Sequence, residues 1–410
     1  MKRTLNTALA LIALSGSALA MADCPPKLIC GTPPINEPEL QQPIVQSQPV
    51  IDVVFVLDTT GSMGGLIEGA KQKIWAIANQ ISQAQQTPVI RFGLVGYRDR
   101  GDDYVTTMTA LTEDIDTVYV DLMSYKAQGG GDTPESVNEA LFIAIERFEW
   151  STNQDALKLV YLVGDAPPKM EYQDDVKYQA SCRMAYEQGI NINTIQCGSL
   201  GGTKAIWQEI AQLANGAYAA IEQNGGVVAR STPFDAQLTK LDAEIRGTML
   251  DYGDGEVVMY QELKRVVASG ISHDSAPEAA ADRAVYNSSG AGRRNMLGKQ
   301  ELVDDIATGK VGLEEVEKDQ LPEELQTLSN EELQVEVDRR RSERAELTKA
   351  LKELAAKRAA YLKANQPASA KDGFDQKVLE ALIEQGARVG IEFGHEKTEE
   401  PIEVKETGED

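Results

Sequence analysis

An α/β fold is what this 410-residue sequence predicts: a doubly wound, mostly parallel sheet followed by an α-helical C-terminal region. Three observations carry that prediction. Short runs such as Ile51 to Leu57 and Leu157 to Val163 are apolar but for Asp52 and Lys158 near their starts, so both faces of those strands are buried, as in a parallel sheet covered by helices on each side. Between these runs lie stretches with apolar residues three and four apart, the spacing of helices. Beyond Gly225 the strand signal fades and helical spacing remains.

The elements follow in chain order. Lys2 and Arg3 precede an apolar stretch from Ala8 to Leu14, with small residues for cleavage after Ala20 or Ala22. Residues 1–22 therefore read as a secretory signal peptide. A lipid anchor on Cys24 is the weaker alternative, because Asp23 stands where an acylation signal takes a small residue. Seven prolines between Cys24 and Val50, from Pro25 to Pro49, make 23–49 an extended linker.

The α/β domain is expected over 50–225. It starts with strand Ile51 to Leu57 and a helix from Gly64 to Gln86 on Ile67, Ala70, Ile74, Ile77 and Ile81. Strand Arg91 to Tyr97 and a polar-faced edge strand Tyr104 to Leu111 follow, then helices near Ile115 to Tyr125 and Ser136 to Phe148. Leu157 to Val163 is a buried strand, Ile190 to Gln196 follows a helix ending near Gly189, and Lys204 to Leu213 with Ala217 to Ile221 form a last pair.

Residues 226–365 read as a helical region. Phe234 to Leu250 carries Leu238, Leu241, Ile245 and Met249 at helical spacing. Leu321 to Leu362 is a charged stretch with an apolar stripe that predicts a long helix, either in a coiled coil or in a hairpin against the domain, since Arg340 and Arg344 interrupt the stripe. Residues 366–410 read as a partly disordered acidic tail, featureless from Lys397.

Charge and composition narrow the function. A formal net charge of −24 excludes nucleic acid and anionic membrane surfaces as partners, because both require basic patches. No stretch after the leader approaches the ~18 apolar residues of a membrane span. Four cysteines in an exported chain allow two disulfides, Cys24 with Cys30 and Cys182 with Cys197, and the second pair reads equally well as two buried thiols.

The chemistry concentrates where strands end. In Val53-Val54-Phe55-Val56-Leu57-Asp58-Thr59-Thr60-Gly61-Ser62 a carboxylate and two hydroxyls occupy alternate positions at the end of a buried strand. Open α/β sheets bind ligands at that edge, and hard oxygen donors suit Mg²⁺, with Mn²⁺ or Ca²⁺ as alternatives. Two further loops reach the same edge: Gly129-Gly130-Gly131-Asp132-Thr133-Pro134-Glu135, and Val163-Gly164-Asp165. The competing reading makes Thr60 and Ser62 caps of the following helix. Co-occurrence of three oxygen-bearing loops favours the metal.

The first run resembles the metal-binding loop of von Willebrand factor type A domains, a Rossmann-like family, its Asp-x-Ser-x-Ser appearing here as Asp-x-Thr-x-Ser. Asp132-Thr133-Pro134-Glu135 is similar to the Asp-x-Pro-Glu loop found in the A-type domain of integrin β-subunits, and Asp165 in Leu162-Val163-Gly164-Asp165 to the last carboxylate of the family's adhesion site. The resemblance implies a cation held by Asp58, Thr60, Ser62, Glu135 and Asp165, with Thr133 as the competitor of Glu135 and Asp132 as a candidate ligand of a second ion. It further implies a protein partner presenting an Asp or Glu to the metal. Gly93-Leu94-Val95-Gly96-Tyr97-Arg98-Asp99 and Asn193-Thr194-Ile195-Gln196-Cys197-Gly198 resemble strands of the subgroup in bacterial exported proteins and alpha-kinase-linked ones. The similarity covers Ile51 to Ile221, under half of the chain, and no kinase half accompanies it.

Other motifs are set aside on chemical grounds. Arg98-Asp99-Arg100-Gly101-Asp102-Asp103 reads as a solvated loop, and Asp251-Tyr252-Gly253-Asp254-Gly255-Glu256 lacks full calcium-loop spacing and reads as a turn. Ser272-His273-Asp274 are sequence neighbours whose side chains cannot converge as a triad. No Cys-x-x-Cys, phosphate loop or placed general base occurs, so a non-enzymatic protein is expected.

Overall fold

A computed structural model describes residues 48–225, 230–365 and 373–393. The signal peptide, nearly all of the linker, Cys24, Cys30 and the tail from Lys397 lie outside those residues.

Six strands, β1 (Val50–Asp58), β2 (Val89–Tyr97), β3 (Thr106–Thr112), β4 (Leu157–Gly164), β5 (Ile190–Cys197) and β6 (Tyr218–Ile221), form one sheet in the order β3-β2-β1-β4-β5-β6. All pairings are parallel except β2 with β3, the polar edge strand. Because β1 is central, Asp58 pairs with Tyr97 on one side, and Leu57 with Val163 on the other. The carboxyl ends of β1 and β4 therefore meet at one edge, at the point where the strand order reverses.

Strand alternation divides the core. Ile51, Val53, Phe55 and Leu57 face one apolar layer, whereas Val54 and Val56 face the other. The first layer is filled by α1 (Gly64–Ile81) and α2 (Ile115–Ser124), the second by α3 (Val137–Glu146), α4 (Tyr178–Glu187) and α5 (Thr203–Leu213). Helix α1 stops at Ile81 rather than Gln86, and its exit is fixed by Gln85, whose N–H donates to the Glu392 carbonyl. Gly93 is required by packing, since a Cβ there would lie 2.4 Å from the Phe148 ring.

Of the two readings of Cys182 and Cys197, a bridge or two buried thiols, the second holds. Both are free buried thiols, and they lie in different layers: Cys182 of α4 in the second, Cys197 of β5 in the first, with the sheet between them. Burial pushes the Cys182 thiol up to about 12.

After β6 the chain forms α6 (Asp235–Gly247), α7 (Gly255–Asp274), α8 (Pro277–Asn287), α9 (Gly290–Leu297), α10 (Leu302–Ala307) and α11 (Asn330–Ala364). The turn at Asp251–Glu256 is a helix start: the Asp254 side chain accepts from the Val257 N–H and caps α7. The 35-residue α11 lies against α6, α8 and α10 of its own chain. The arginines that interrupt its stripe are anchors. Arg344 forms a bidentate pair with Glu301 at 2.8 and 2.9 Å and donates to Thr248, while Arg340, paired with Glu336 of its own helix, reaches the Gly247 and Met249 carbonyls at 3.5 and 3.4 Å. A charge so paired can sit in the apolar stripe of the helix.

Within the region read as tail, residues 374–388 form α12 (Phe374–Arg388), which covers the first face of the sheet beside α1. Phe374 is 1% exposed with its ring centroid 6.1 Å from Phe55, and Tyr161 donates its hydroxyl to the Val378 carbonyl at 2.9 Å. Asn193 and Gln385 exchange two side-chain amide hydrogen bonds. Burying Phe374, Val378 and Leu382 contributes about 2 kcal/mol each, which outweighs the charge around them. The helical region is thus a segment placed between β6 and the helix that completes the α/β domain.

A buried ion network holds that segment to the domain. Arg283 of α8 donates twice to Asp116 of α2 at 2.7 Å, reaches Asp242 of α6 at 3.4 Å, and its guanidinium lies 5.6 Å from the Trp75 ring centroid. Burial works against the Arg283 charge, but Asp116 prevails and raises its pKa. No helix among the described residues is long and apolar enough to cross a membrane.

Candidate metal centre

At the end of β1, Asp58 is fully buried, and its Oδ1 accepts from the Thr60 N–H at 2.8 Å and the Thr60 hydroxyl at 2.6 Å. The Thr60 Oγ1 lies 3.4 Å from the Ser62 Oγ. Thr60 sits at the N-cap of a 3-10 turn over Gly61–Met63, yet makes no capping bond, and neither does Ser62 cap α1. Their hydroxyls serve the Asp58 carboxylate and each other, which removes the capping explanation.

The 129–135 loop wraps this turn. The Gly61 N–H donates to the Gly129 carbonyl, and Gly130 has φ of +76°, a conformation that suits glycine. A Cβ on Gly130 would be 3.3 Å from the Thr60 Cβ and 3.5 Å from Glu135 Oε1, so Thr60 and Glu135 both approach the space that a side chain there would fill. Glu135 is 3% exposed and is fixed by bonds of its N–H to the Pro167 carbonyl and of the Lys169 N–H to its own carbonyl. Thr133, its competitor from sequence, is exposed.

From β4, Gly164 lets the strand pass the cluster: a Cβ there would lie 2.5 Å from the Tyr97 hydroxyl and 3.2 Å from Asp58 Oδ2. Asp165 follows, half-buried, its Oδ2 accepting from Gln223 Nε2 at 2.7 Å. Gln223 also donates to the Ser62 carbonyl at 3.3 Å. Next to it, the Gly225 carbonyl accepts from the Phe374 N–H, tying the site's rim to α12.

Electrostatics make the cluster uncomfortable by itself. Burial, with the Asp165 charge added, pushes the Asp58 carboxyl up to about 7 despite its bonds to Thr60. Burial pushes Glu135 up to about 9, and the charges of Asp58, Asp99, Asp102 and Asp165 add to it. Asp58 Oδ2, Glu135 Oε2 and the Tyr97 hydroxyl are buried with no hydrogen-bond partner. Orphaned buried carboxylate oxygens are costly and rare, so each calls for an explanation. Two of them beside a pair of hydroxyls fit the oxygen donor set of a hard divalent cation. Among the described residues no three Asp, Glu, His or Cys side chains gather closely enough to hold an ion by themselves. Hydroxyls and water have to complete any shell here.

A second ion at Asp132 has a rival already in place. Lys169 Nζ lies 2.5 Å from Asp132 Oδ2 and 3.0 Å from Asp99 Oδ2, supplying positive charge from the chain itself. Asp99 is correspondingly not part of a solvated loop: it is 5% exposed and accepts from Lys169, Ser136 and Tyr172. Burial opposes its charge, but those bonds hold its carboxyl below the usual range. Asp102 accepts from the Gly130 N–H, and Asp103 alone of the three is fully in solvent. Gln223, Lys169 and Tyr172 carry no motif; only the contact between loops reveals them.

Residues 52–231 match the family model described as the von Willebrand factor A domain. The chain contains a von Willebrand factor A domain. The domain is similar to part of von Willebrand factor A domain-containing protein 7 of Mus musculus, 36% identical over 121 residues, which is 30% of this chain and 12% of that protein. It is also similar to part of an ariadne-like RING finger protein of Acanthamoeba polyphaga mimivirus, 30% identical over 125 residues, again 30% and 12%. The matched segment thus spans about an eighth of these relatives. Among solved structures, proximal thread matrix protein 1 from the mussel byssus, with a zinc-occupied adhesion-site motif, aligns at 17% identity over 42% of each chain with a TM-score of 0.32. Von Willebrand factor A domains commonly mediate protein–protein interaction and often bind a divalent metal.

Proposed function

We propose that this protein is an exported, metal-dependent protein-binding module of the bacterial envelope. Asp58, Thr60, Ser62, Glu135 and Asp165 would hold Mg²⁺, or Mn²⁺ or Ca²⁺, and the partner would present an Asp or Glu to it. The observation that carries the reading is the pair of buried, unpartnered oxygens, Asp58 Oδ2 and Glu135 Oε2, next to the Thr60 and Ser62 hydroxyls. A bound cation would supply the positive charge that these carboxylates lack and a place for one more acid oxygen. The chain's residues do the rest: Thr60 fixes the Asp58 carboxylate, Gln223 fixes Asp165, and Gly130 and Gly164 keep bulk away from both. Export is supported by the leader-like residues 1–22.

A second reading makes the cation a structural element only, since it would relieve the repulsion that raises Asp58 and Glu135. Asp165→Ala separates the two. A binding role predicts loss of Mg²⁺-dependent capture of an acidic ligand at unchanged folding. A structural role predicts mainly a lower Tm, with capture unaffected.

A further inference from the structure

The face around the candidate site is acidic in an uneven way. Five loops, 58–62, 98–104, 126–135, 165–177 and 222–225, carry eleven carboxylates against five cationic side chains. A doubly charged ion would still leave an excess of four negative charges. Three of the cations are also drawn inward, whereas Lys126 is exposed. Arg98 has a 4% exposed side chain, donates to the Thr59 and Lys126 carbonyls and lies 3.7 Å from the exposed Asp103 carboxylate. Lys169 is held between Asp99 and Asp132, and Arg100 pairs with Asp174 and Asp175 while stacking on Tyr172. The acids point outward: the side chains of Asp103, Asp132 and Asp174 are 86%, 60% and 74% exposed.

An isolated carboxylate, or one within an acidic segment, would meet this field before reaching the centre. Within a Debye length, about 8 Å at physiological salt, like charges across an interface select against a partner and opposite charges attract one. We infer that the ligand is an Asp or Glu whose neighbours in its own chain are Lys or Arg: the acid for the centre, the bases for the exposed Asp103, Asp132 and Glu171 around it. This rests on the binding role proposed above, and it adds what kind of segment the partner offers. The two buried unpartnered carboxylate oxygens define where the acid is taken, and the exposed acids define what must surround it.

Fluorescence anisotropy on the full chain tests it with three labelled seven-residue peptides: a central Glu between lysines, a central Glu between serines, and a central Gln between lysines. In Mg²⁺ at low salt the lysine-flanked Glu peptide should bind about tenfold tighter than the serine-flanked one. The gap should narrow as salt rises, and both Glu peptides should be released by EDTA. Asp103→Asn with Glu171→Gln should weaken the lysine-flanked peptide several-fold and leave the serine-flanked one unchanged. Equal, EDTA-sensitive affinities for the two Glu peptides would overturn the inference and leave the binding role standing. Lysine-flanked Gln binding as well as Glu, or no EDTA-sensitive binding of either Glu peptide at millimolar concentration, would overturn the binding role, and the inference with it.

Discussion

Replacing Asp58 by Asn should make the metal-free protein more stable, although it removes a candidate ligand. The buried Asp58 carboxyl is raised from an ordinary 3.8 to about 7. A proton is held more tightly in the folded than in the unfolded chain, so folding is penalised as pH climbs from about 4, and fully so above about 7. A rise of that size corresponds to about 4 kcal/mol, an upper bound once water penetration is allowed for. Asparagine has no charge to bury and keeps an oxygen for the Thr60 N–H and hydroxyl. Its amide nitrogen would stand near the unpartnered Tyr97 hydroxyl, and Glu135 would lose one repelling neighbour. Urea unfolding at pH 8 in EDTA should therefore show Asp58→Asn more stable than wild type by about 1–4 kcal/mol. Excess Mg²⁺ should reverse the order, because a ligand stabilises only the chain that binds it. If Asp58→Asn is less stable in EDTA, or gains as much from Mg²⁺ as wild type does, the reasoning fails.

Three further outcomes follow from the packing. Phe374→Ala should cost about 3–5 kcal/mol in denaturant unfolding of the full chain, because its ring fills the layer beside Phe55; a cost below 1 kcal/mol would detach α12 from the domain. Arg283→Ala leaves Asp116 buried without its bidentate partner and should cost about 3–5 kcal/mol, read as a lower midpoint in urea. Lys169→Met removes the ion pair of Asp99, which is 5% exposed and keeps its Ser136 and Tyr172 bonds, and should cost about 2 kcal/mol, while hydrogen exchange at Gly129–Asp132 speeds up. Unchanged exchange would mean that Lys169 does not pin that loop.

How much of this could be read from the residues depended on periodicity. Ile51 to Leu57 and Leu157 to Val163 declared themselves because burial on both faces leaves nearly unbroken apolar runs, with only Asp52 and Lys158 near their starts, and strand order then brought Asp58 and Asp165 to one edge. The Glu135 assignment needed the loop's path: only its backbone bonds to Pro167 and Lys169 turn it inward and leave Thr133 outside. Helix α12 was hidden by the charge around it, although Phe374, Val378 and Leu382 recur four apart. The cysteine pair was left open between a bridge and two buried thiols, and strand parity decides it: Ile190 and Ile192 face α4, so Cys197, at odd spacing from them, faces the other way. Lys169 and Gln223 act across loops distant in sequence, and no spacing rule announces such contacts.

The central claim is that the turns after β1 and β4, with the loop before α3, grip one divalent cation. Titrating Mn²⁺ into the EDTA-dialysed full chain, followed by electron paramagnetic resonance of the free ion, tests it most directly. One Mn²⁺ bound per chain, displaced by Mg²⁺ and lost in Asp58→Asn, is the predicted result. No binding at millimolar Mn²⁺, or binding indifferent to Asp58→Asn, would contradict it.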